Sequence, residues 1–216
     1  MSSENPHGNG PVLRLGPDPG GARLAVICIH GRGASAENIL GLARELTLPD
    51  VAYVAPQAAG HTWYPLSFLS PIPQNEPGIS SGLQVIARII GELQGEGLDP
   101  ERIGLLGFSQ GACLSLEFAA RHARRYAAVV GLSGGLIGPP GTPRDYAGSF
   151  ENTPVFLGCS DIDAHIPVER VNESAEAFRR MGGAVDERIY RQMGHTVNRD
   201  ELDAVRALLS NGAGPA

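Results

Sequence analysis

The pentapeptide Gly107-Phe108-Ser109-Gln110-Gly111 has residue types and a spacing that suit nucleophilic catalysis. It follows the apolar run 103–106 and precedes a segment of helical period. A serine between small residues, at a sharp turn from a strand into a helix, presents its hydroxyl at the sheet edge, beside the amides that begin the helix. The motif is short and the chain has 29 glycines, so a chance match is the alternative. The flanking strand and helix favour Ser109 as a nucleophile.

A serine hydroxyl needs a general base, and the base needs a third group to orient it. Three histidines follow Ser109 in the chain, at positions 122, 165 and 195. His122 lies inside the helix predicted after the motif and should point away from the hydroxyl. His195 lies between the last predicted strand and the last predicted helix, at the same sheet edge as Ser109. We therefore predict His195 as the base.

Two carboxylates are candidates for the orienting group. Asp161 and Asp163 both follow the predicted strand that ends at Leu157, again at the carboxyl edge of the sheet. Asp163 is favoured because it directly precedes the turn 164–167, which leads into the next helix, and Asp161 remains the alternative. The other carboxylate would then be a turn or capping residue. His165 stands almost beside the acid, so we predict that it lines the substrate site rather than acting as the base.

The segment His30-Gly31-Arg32-Gly33 follows the first central strand and precedes the serine motif. Its glycines allow a backbone amide to turn toward the nucleophile, as an oxyanion hole requires. We predict the backbone N–H groups of Arg32 and Gln110 as the two donors. His30 is expected to hold this loop by hydrogen bonds.

A long segment, residues 55–78, is rich in proline and aromatic residues. Long loops within a compact domain are usually functional. Trp63, Tyr64 and Phe68 either line a substrate pocket or form a small core that fixes the loop, and the sequence leaves both open. No insertion is long enough for a large lid, which indicates an open site for small or flexible substrates.

Short apolar runs alternate with segments of helical period, which predicts an α/β fold with a mostly parallel central sheet and helices on both faces. Residues 12–15 are predicted as an antiparallel edge strand. The predicted central strands are Leu24–Ile29, Val51–Val54, Ile103–Leu106, Ala127–Leu132, Val155–Leu157 and Val185–Tyr190. The predicted helices are 35–46, capped by Ser35, then 83–93, 110–124, 168–181 and 200–209.

The length of 216 residues predicts one domain, over residues 12–210, with a flexible N-terminal segment 1–11 and a flexible C-terminal tail 211–216. The net charge of −6 has no basic run, which argues against nucleic-acid binding. No apolar run approaches the roughly 20 residues that span a bilayer. Three cysteines without metal-like spacing predict buried free thiols in a reducing, cytoplasmic compartment. Neither a metal nor a cofactor is expected.

Taken together, these residues make the chain resemble the phospholipase/carboxylesterase family of small α/β-hydrolases, which includes acyl-protein thioesterases. The resemblance runs from about Leu24 to Leu209 and rests on the segments 30–33, 107–111, 163–167 and 194–195. It implies a Ser, Asp, His triad at Ser109, Asp163 and His195, and no cofactor. The segments 55–57 and 62–64 look like those of bacterial carboxylesterases that act on small esters.

The resulting hypothesis is a serine carboxylesterase that hydrolyses small or medium-chain carboxylic esters through an acyl-enzyme at Ser109. One alternative is an acyl thioesterase or lysophospholipase that acts on longer acyl chains. A second alternative, of another class, is a non-catalytic ligand-binding module, although all three triad positions are filled. The expected partner is a small-molecule ester, and the oligomeric state, including a homodimer, stays open.

Overall fold

A computed structural model describes residues 5–211 of the protein, and these residues form one seven-stranded sheet. The strands are β1 (Val12–Leu15), β2 (Leu24–Ile29), β3 (Val51–Pro56), β4 (Ile103–Phe108), β5 (Val129–Leu132), β6 (Pro154–Ser160) and β7 (Ala184–Tyr190). Their order in the sheet is β1-β3-β2-β4-β5-β6-β7. β1 pairs with β3 antiparallel, and the other neighbouring pairs are parallel. The predicted mostly parallel sheet with an antiparallel edge strand is confirmed.

Five helices within the described residues cover both faces of the sheet. They are α1 (Ala36–Glu45), α2 (Gly78–Gly95), α3 (Gln110–Arg121), α4 (Val168–Arg180) and α5 (Arg199–Asn211). The apolar sides of α1 and α5 pack on one face, and those of α2, α3 and α4 pack on the other. Ser35 caps α1 as predicted, because its Oγ accepts the N–H of Asn38.

The central strands are buried because helices lie on both sides of them. All six residues of β2 and of β3 are buried, as are the four residues of β5. This explains why these strands appear in the sequence as continuous apolar runs rather than as alternating patterns. The three cysteines are buried and unpaired, as predicted. The loops that follow β2, β4, β6 and β7 all leave the sheet at its carboxyl edge.

One predicted boundary is wrong by five residues. The helix expected to begin at Leu83 begins at Gly78 instead. A Cβ atom at Gly82 would come within 2.7 Å of the Leu114 side chain, and one at Gly78 would collide with the carbonyl oxygen of Trp63. The first turn therefore needs small residues for close packing, although in the sequence those residues look like a loop. Smaller differences, of two or three residues, are the end of α3 at Arg121, the start of β5 at residue 129 and the later ends of β3, β4 and β6.

The chain before β1 packs against the domain from residue 5 onward. The backbone N–H of His7 donates to Ser81 Oγ at 2.9 Å, and the His7 ring contacts the Trp63 carbonyl oxygen at 2.8 Å. His7 is 3% exposed. This packed segment falls within the part predicted to be flexible. Residues 1–4 and the tail 212–216 lie outside the described residues.

The segment 57–77 between β3 and α2 runs along the domain, with two short 3-10 turns, at Ala59–His61 and Ile72–Asn75. Residues 5–211 include no separate lid domain above the sheet edge. In this same part of the chain, none of the helices has both the length and the apolar character needed to cross a bilayer.

Candidate active site

Ser109 occupies the turn between β4 and α3 in a backbone conformation that few residues other than glycine adopt. Its φ is 55° and its ψ is −121°. Its N–H donates to the Leu132 carbonyl oxygen at 2.9 Å, which holds the turn against β5. A Cβ at Gly107 would collide with the Gly111 backbone across the turn, and a Cβ at Gly111 would collide with the carbonyl groups of Ile29 and His30, so both flanking positions need glycine. Strain of this kind costs about 1–3 kcal/mol and is typical of functional turns.

The side chains of Ser109, His195 and Asp163 form one continuous hydrogen-bonded chain. His195 Nε2 lies 2.8 Å from Ser109 Oγ, and His195 Nδ1 lies 2.7 Å from Asp163 Oδ2. Because a carboxylate can only accept, the imidazole proton lies on Nδ1 and Nε2 is free to accept from the serine hydroxyl. The three residues predicted from the sequence are therefore in direct contact.

Asp163 is held as a buried carboxylate at the far end of this chain. Its side chain is completely buried, and its Oδ1 accepts the backbone N–H groups of His165 at 2.8 Å and Ile166 at 3.1 Å. Burial acts to raise the pKa of Asp163, but the hydrogen bonds from His195 and from these amides outweigh it, so the pKa lies below its ordinary value. Cys159 Sγ lies 3.7 Å from Asp163 Oδ2, and burial raises the pKa of this thiol to about 12, so it remains a neutral donor.

Asp161, the alternative acid, is exposed and has a different partner. Its Oδ1 accepts the backbone N–H of Gln192 at 2.8 Å, which ties the loop after β6 to the loop that carries His195. The neighbouring Ser160 reinforces this tie: its Oγ accepts the N–H groups of Ile162 at 3.2 Å and Gly194 at 3.1 Å. Ser160 was not predicted from the sequence, although a polar residue at the buried end of a strand is a signal that could have identified it.

The loop after β2 lies directly against the nucleophile. A Cβ at Gly31 would be 3.3 Å from the Ser109 Cβ, so the loop and the serine turn are in close contact. Within residues 5–211, the backbone N–H groups of Arg32 and Gln110 have no hydrogen-bond acceptor. Two free amides beside a serine hydroxyl are the arrangement that an oxyanion hole requires.

His30 holds this loop, as the sequence predicted. Its Nδ1 donates to the Gly31 carbonyl oxygen at 2.8 Å, and its Nε2 accepts the Ala58 N–H at 3.1 Å. Burial lowers the pKa of His30 below its ordinary value, which favours the neutral ring that these two bonds require.

Trp63 lies in the core and not among the residues that line the cavity, which is the second of the two roles that the sequence left open. Its side chain is fully buried, and its Nε1 donates to the His30 carbonyl oxygen at 3.0 Å. Its backbone N–H donates to Gln110 Oε1 at 2.8 Å, and Gln110 Nε2 donates to the Tyr64 carbonyl oxygen at 2.8 Å. The side chain of Gln110 thus fixes the aromatic loop, a role that the sequence analysis missed.

A cavity of about 560 Å³ opens above Ser109 and His195. Tyr64, Phe68 and His165 lie in its wall; for the two aromatic residues the sequence had left a pocket and a small core open. The His165 ring lies edge-on to the His195 ring, with 4.8 Å between the ring centroids. The wall also includes Arg32, Pro65, Leu66, Ser67, Gln110, Cys113 and Ile166. Among the described residues, no three His, Cys, Asp or Glu side chains cluster in a way that could hold a metal ion.

Comparisons with known proteins identify relatives of this chain. It is 38% identical to a crystallised phospholipase/carboxylesterase from Dyadobacter fermentans, with a TM-score of 0.90 over 94% of this chain and 97% of that one. It is 26% identical to the crystallised esterase PE8, with a TM-score of 0.77 over 94% and 97% of the two chains. It is also 30% identical to acyl-protein thioesterase 1 of Gibberella zeae, over 63% of this chain. The matched region spans 59% of that protein's length.

A family model described as Phospholipase/Carboxylesterase matches residues 19–211, nearly the whole of the described structure. The match includes the four loops at the carboxyl edge of the sheet and the α/β-hydrolase architecture that holds them. The chain belongs to the phospholipase/carboxylesterase family.

Proposed function

We propose that the protein is a serine carboxylesterase that hydrolyses small or medium-chain carboxylic esters through an acyl-enzyme at Ser109. The observation that carries the proposal is the hydrogen-bonded chain from Ser109 through His195 to Asp163, with contacts of 2.8 and 2.7 Å at the base of a cavity. Family membership supports the same reaction class.

In the first half of the proposed reaction, Ser109 Oγ attacks the ester carbonyl carbon while its proton passes to His195 Nε2. The imidazolium is stabilised by the Asp163 carboxylate, whose pKa is lowered. The carbonyl oxygen becomes an oxyanion, and the free amides of Arg32 and Gln110 are placed to donate to it. His195 then returns the proton to the leaving alcohol oxygen as the ester bond breaks, which leaves the acyl group on Ser109.

In the second half, His195 takes a proton from water, and the resulting hydroxide attacks the acyl-enzyme. The same amides stabilise the second oxyanion, and the proton returns to Ser109 Oγ as the carboxylic acid leaves. All of these steps use groups of this chain and water.

The size and lining of the cavity support a small or medium substrate. Its volume of about 560 Å³ falls in the range of pockets for small organic ligands. The polar side chains of Arg32, Ser67 and His165 interrupt an otherwise largely apolar wall, which disfavours a long hydrocarbon chain. The second candidate, a thioesterase for longer acyl chains, is favoured by the similarity to acyl-protein thioesterase 1.

The test is hydrolysis of 4-nitrophenyl esters from acetate to palmitate by the wild type, Ser109→Ala and Ser210→Ala. Ser210 is an exposed serine in α5 and serves as the matched control. We expect Ser109→Ala to lose activity to near background, and a fluorophosphonate to add one adduct to the wild type and to Ser210→Ala but none to Ser109→Ala. Equal rates in the wild type and Ser109→Ala would reject the proposal. An optimum at long chains, or on acyl thioesters, would select the second candidate.

We also propose a reducing, cytoplasmic location. The three buried, unpaired cysteines support it, because secreted proteins more often pair their cysteines. Fractionation of the producing cells, with detection of the protein by antibody, tests this location, and recovery from the medium would reject it.

A further inference from the structure

The charged groups around the cavity are unevenly distributed. Arg32 contributes a permanent positive charge to the wall, and the histidines His165 and His195 also lie there. Within residues 5–211, no aspartate or glutamate lines this cavity, since Asp163 is buried behind His195. Arg32 is therefore the one arginine, lysine, aspartate or glutamate among the described residues that line the cavity, in a chain whose net charge is −6.

The guanidinium of Arg32 is fixed in place by the loop after β3. Its Nη1 donates to the Pro65 carbonyl oxygen at 2.9 Å, and its Nη2 donates to the Leu66 carbonyl oxygen at 2.6 Å. Its Cζ lies 5.9 Å from the centroid of the Tyr64 ring. These contacts use two of the five N–H groups of an arginine, and the other three have no hydrogen-bond partner among the described residues. A cation fixed in this way loses little side-chain entropy when a ligand binds.

Arg32 also lies next to the proposed site of the ester carbonyl. Its backbone N–H is a proposed oxyanion donor, so its side chain begins at the residue that contacts the ester carbonyl. The side chain is exposed in the free protein, where water weakens its interactions. A substrate that fills the cavity would displace this water and strengthen an ionic hydrogen bond to the guanidinium.

We propose that the Arg32 side chain is an anion subsite, and that the preferred substrates are esters with a carboxylate a few bonds from the scissile carbonyl. This inference rests on the proposed esterase function. The carboxylate belongs either to the acyl part, as in a monoester of a short dicarboxylic acid, or to the alcohol part, as in the ester of a hydroxy acid. A positive subsite serves either source, and the experiment separates them.

Two pairs of substrates test the subsite. For the acyl side, mono-4-nitrophenyl glutarate is compared with the neutral 4-nitrophenyl pentanoate. For the alcohol side, 3-carboxyphenyl butyrate is compared with phenyl butyrate. The measured quantity is the ratio of kcat/KM for the anionic ester to kcat/KM for the neutral ester, corrected for the rate with Ser109→Ala. The ratio cancels changes in the oxyanion hole that affect both esters alike.

We expect the wild type to favour the anionic ester in one pair, and Arg32→Gln to lower that ratio by about 10- to 100-fold, the effect of one charged hydrogen bond. Arg88→Gln is the matched control, because it removes the same charge from an exposed position on α2, outside the cavity wall, and should leave the ratio unchanged. About 0.5 M salt should lower the wild-type ratio by screening. This salt test remains available if Arg32→Gln does not fold.

The outcomes for the two proposals are distinct. Hydrolysis of neutral esters with an anionic-to-neutral ratio that is insensitive to Arg32→Gln, or to salt where that variant does not fold, overturns the anion subsite and leaves the esterase proposal intact. A wild type that prefers the neutral ester in both pairs has the same consequence. Hydrolysis of none of the four esters rejects the esterase proposal, and the subsite with it.

Discussion

Replacement of Asp163 by asparagine tests the proposed role of its carboxylate, which is to hold the proton of His195 on Nδ1. The two oxygens of Asp163 have different partners: Oδ1 accepts two backbone N–H groups, and Oδ2 accepts from His195 Nδ1. An asparagine has one carbonyl oxygen, and the two amides hold it at the Oδ1 position. The NH₂ group must then face His195 Nδ1, where two donors would oppose each other.

His195 can relieve this conflict only by moving its proton from Nδ1 to Nε2. The Nε2 atom would then face Ser109 Oγ as a donor and could not take the hydroxyl proton. A wrong tautomer of this kind lowers kcat by about 10³–10⁴-fold in serine hydrolases that use this triad, which corresponds to about 4–5.5 kcal/mol in the activation barrier. We expect a loss of this size in Asp163→Asn.

Asp161→Asn is the matched control because it makes the same chemical change two residues away. The carbonyl oxygen of asparagine can still accept the Gln192 N–H, so the loop that carries His195 keeps its support. We expect kcat within about threefold of the wild type, since the change removes no donor or acceptor that the loop needs.

The assay is kcat for 4-nitrophenyl butyrate at saturation, together with thermal melting of each variant. Asp163→Asn should melt cooperatively, because asparagine has nearly the same shape as aspartate and the buried carbonyl oxygen keeps its amide partners. A folded Asp163→Asn that retains more than about a tenth of wild-type kcat would refute the tautomer argument. A loss in Asp161→Asn as large as that in Asp163→Asn would move the orienting role to Asp161.

Two further predictions concern stability, and both are checked by urea unfolding. Gly111→Ala should destabilise the fold by about 3 kcal/mol or more, because a Cβ there collides with the carbonyl oxygens of Ile29 and His30. The control is Gly91→Ala, on the open side of α2, which should stabilise the fold by about 0.5–1 kcal/mol. Equal effects of the two substitutions would contradict this packing. Burial raises the pKa of the Glu201 carboxyl from 4.5 to about 7. Between pH 4.5 and about 7 the folded protein therefore keeps a proton that the unfolded chain releases. The free energy of unfolding then falls by up to about 1.4 kcal/mol per pH unit as the pH rises. Glu201→Gln keeps an acceptor for the Asn198 N–H and removes the cost of ionising a buried carboxyl. Its gain in the free energy of unfolding over the wild type should therefore be larger at about pH 8 than at about pH 5. A difference that does not change with pH would show that Glu201 ionises normally.

The contact between Ser109 and His195 could be predicted from the sequence because both positions depend on local chain order. In a parallel sheet, loops that follow strands meet at one edge, so a strand–serine–helix motif and a histidine after the last strand are brought together by topology alone. Chain order alone does not separate Asp161 from Asp163, since both follow the same strand; the position of Asp163 before the turn 164–167 and the family resemblance favoured it. In the structure Asp163 contacts His195, whereas Asp161 contacts Gln192.

The role of Trp63 could not be predicted from periodicity or composition. An aromatic residue in a long loop is equally consistent with a pocket and with a small core, and the outcome depends on partners that are distant in sequence. Here those partners are the His30 carbonyl oxygen and the side chain of Gln110. The early start of α2 has a similar origin, because Gly78 and Gly82 are selected by contacts with Trp63 and Leu114 rather than by helix propensity.

The position of Gln110 links the substrate wall to the reaction centre. Its backbone N–H is a proposed oxyanion donor, while its side chain holds both the Trp63 N–H and the Tyr64 carbonyl oxygen. The adjacent carbonyls of Pro65 and Leu66 in turn hold the guanidinium of Arg32, whose backbone is the other proposed donor. The aromatic loop is therefore hydrogen-bonded through side chains to both residues whose amides are the proposed oxyanion donors. We expect a substrate that shifts this loop to disturb the proposed donors as well, so that substrate fit affects transition-state stabilisation through these two side chains.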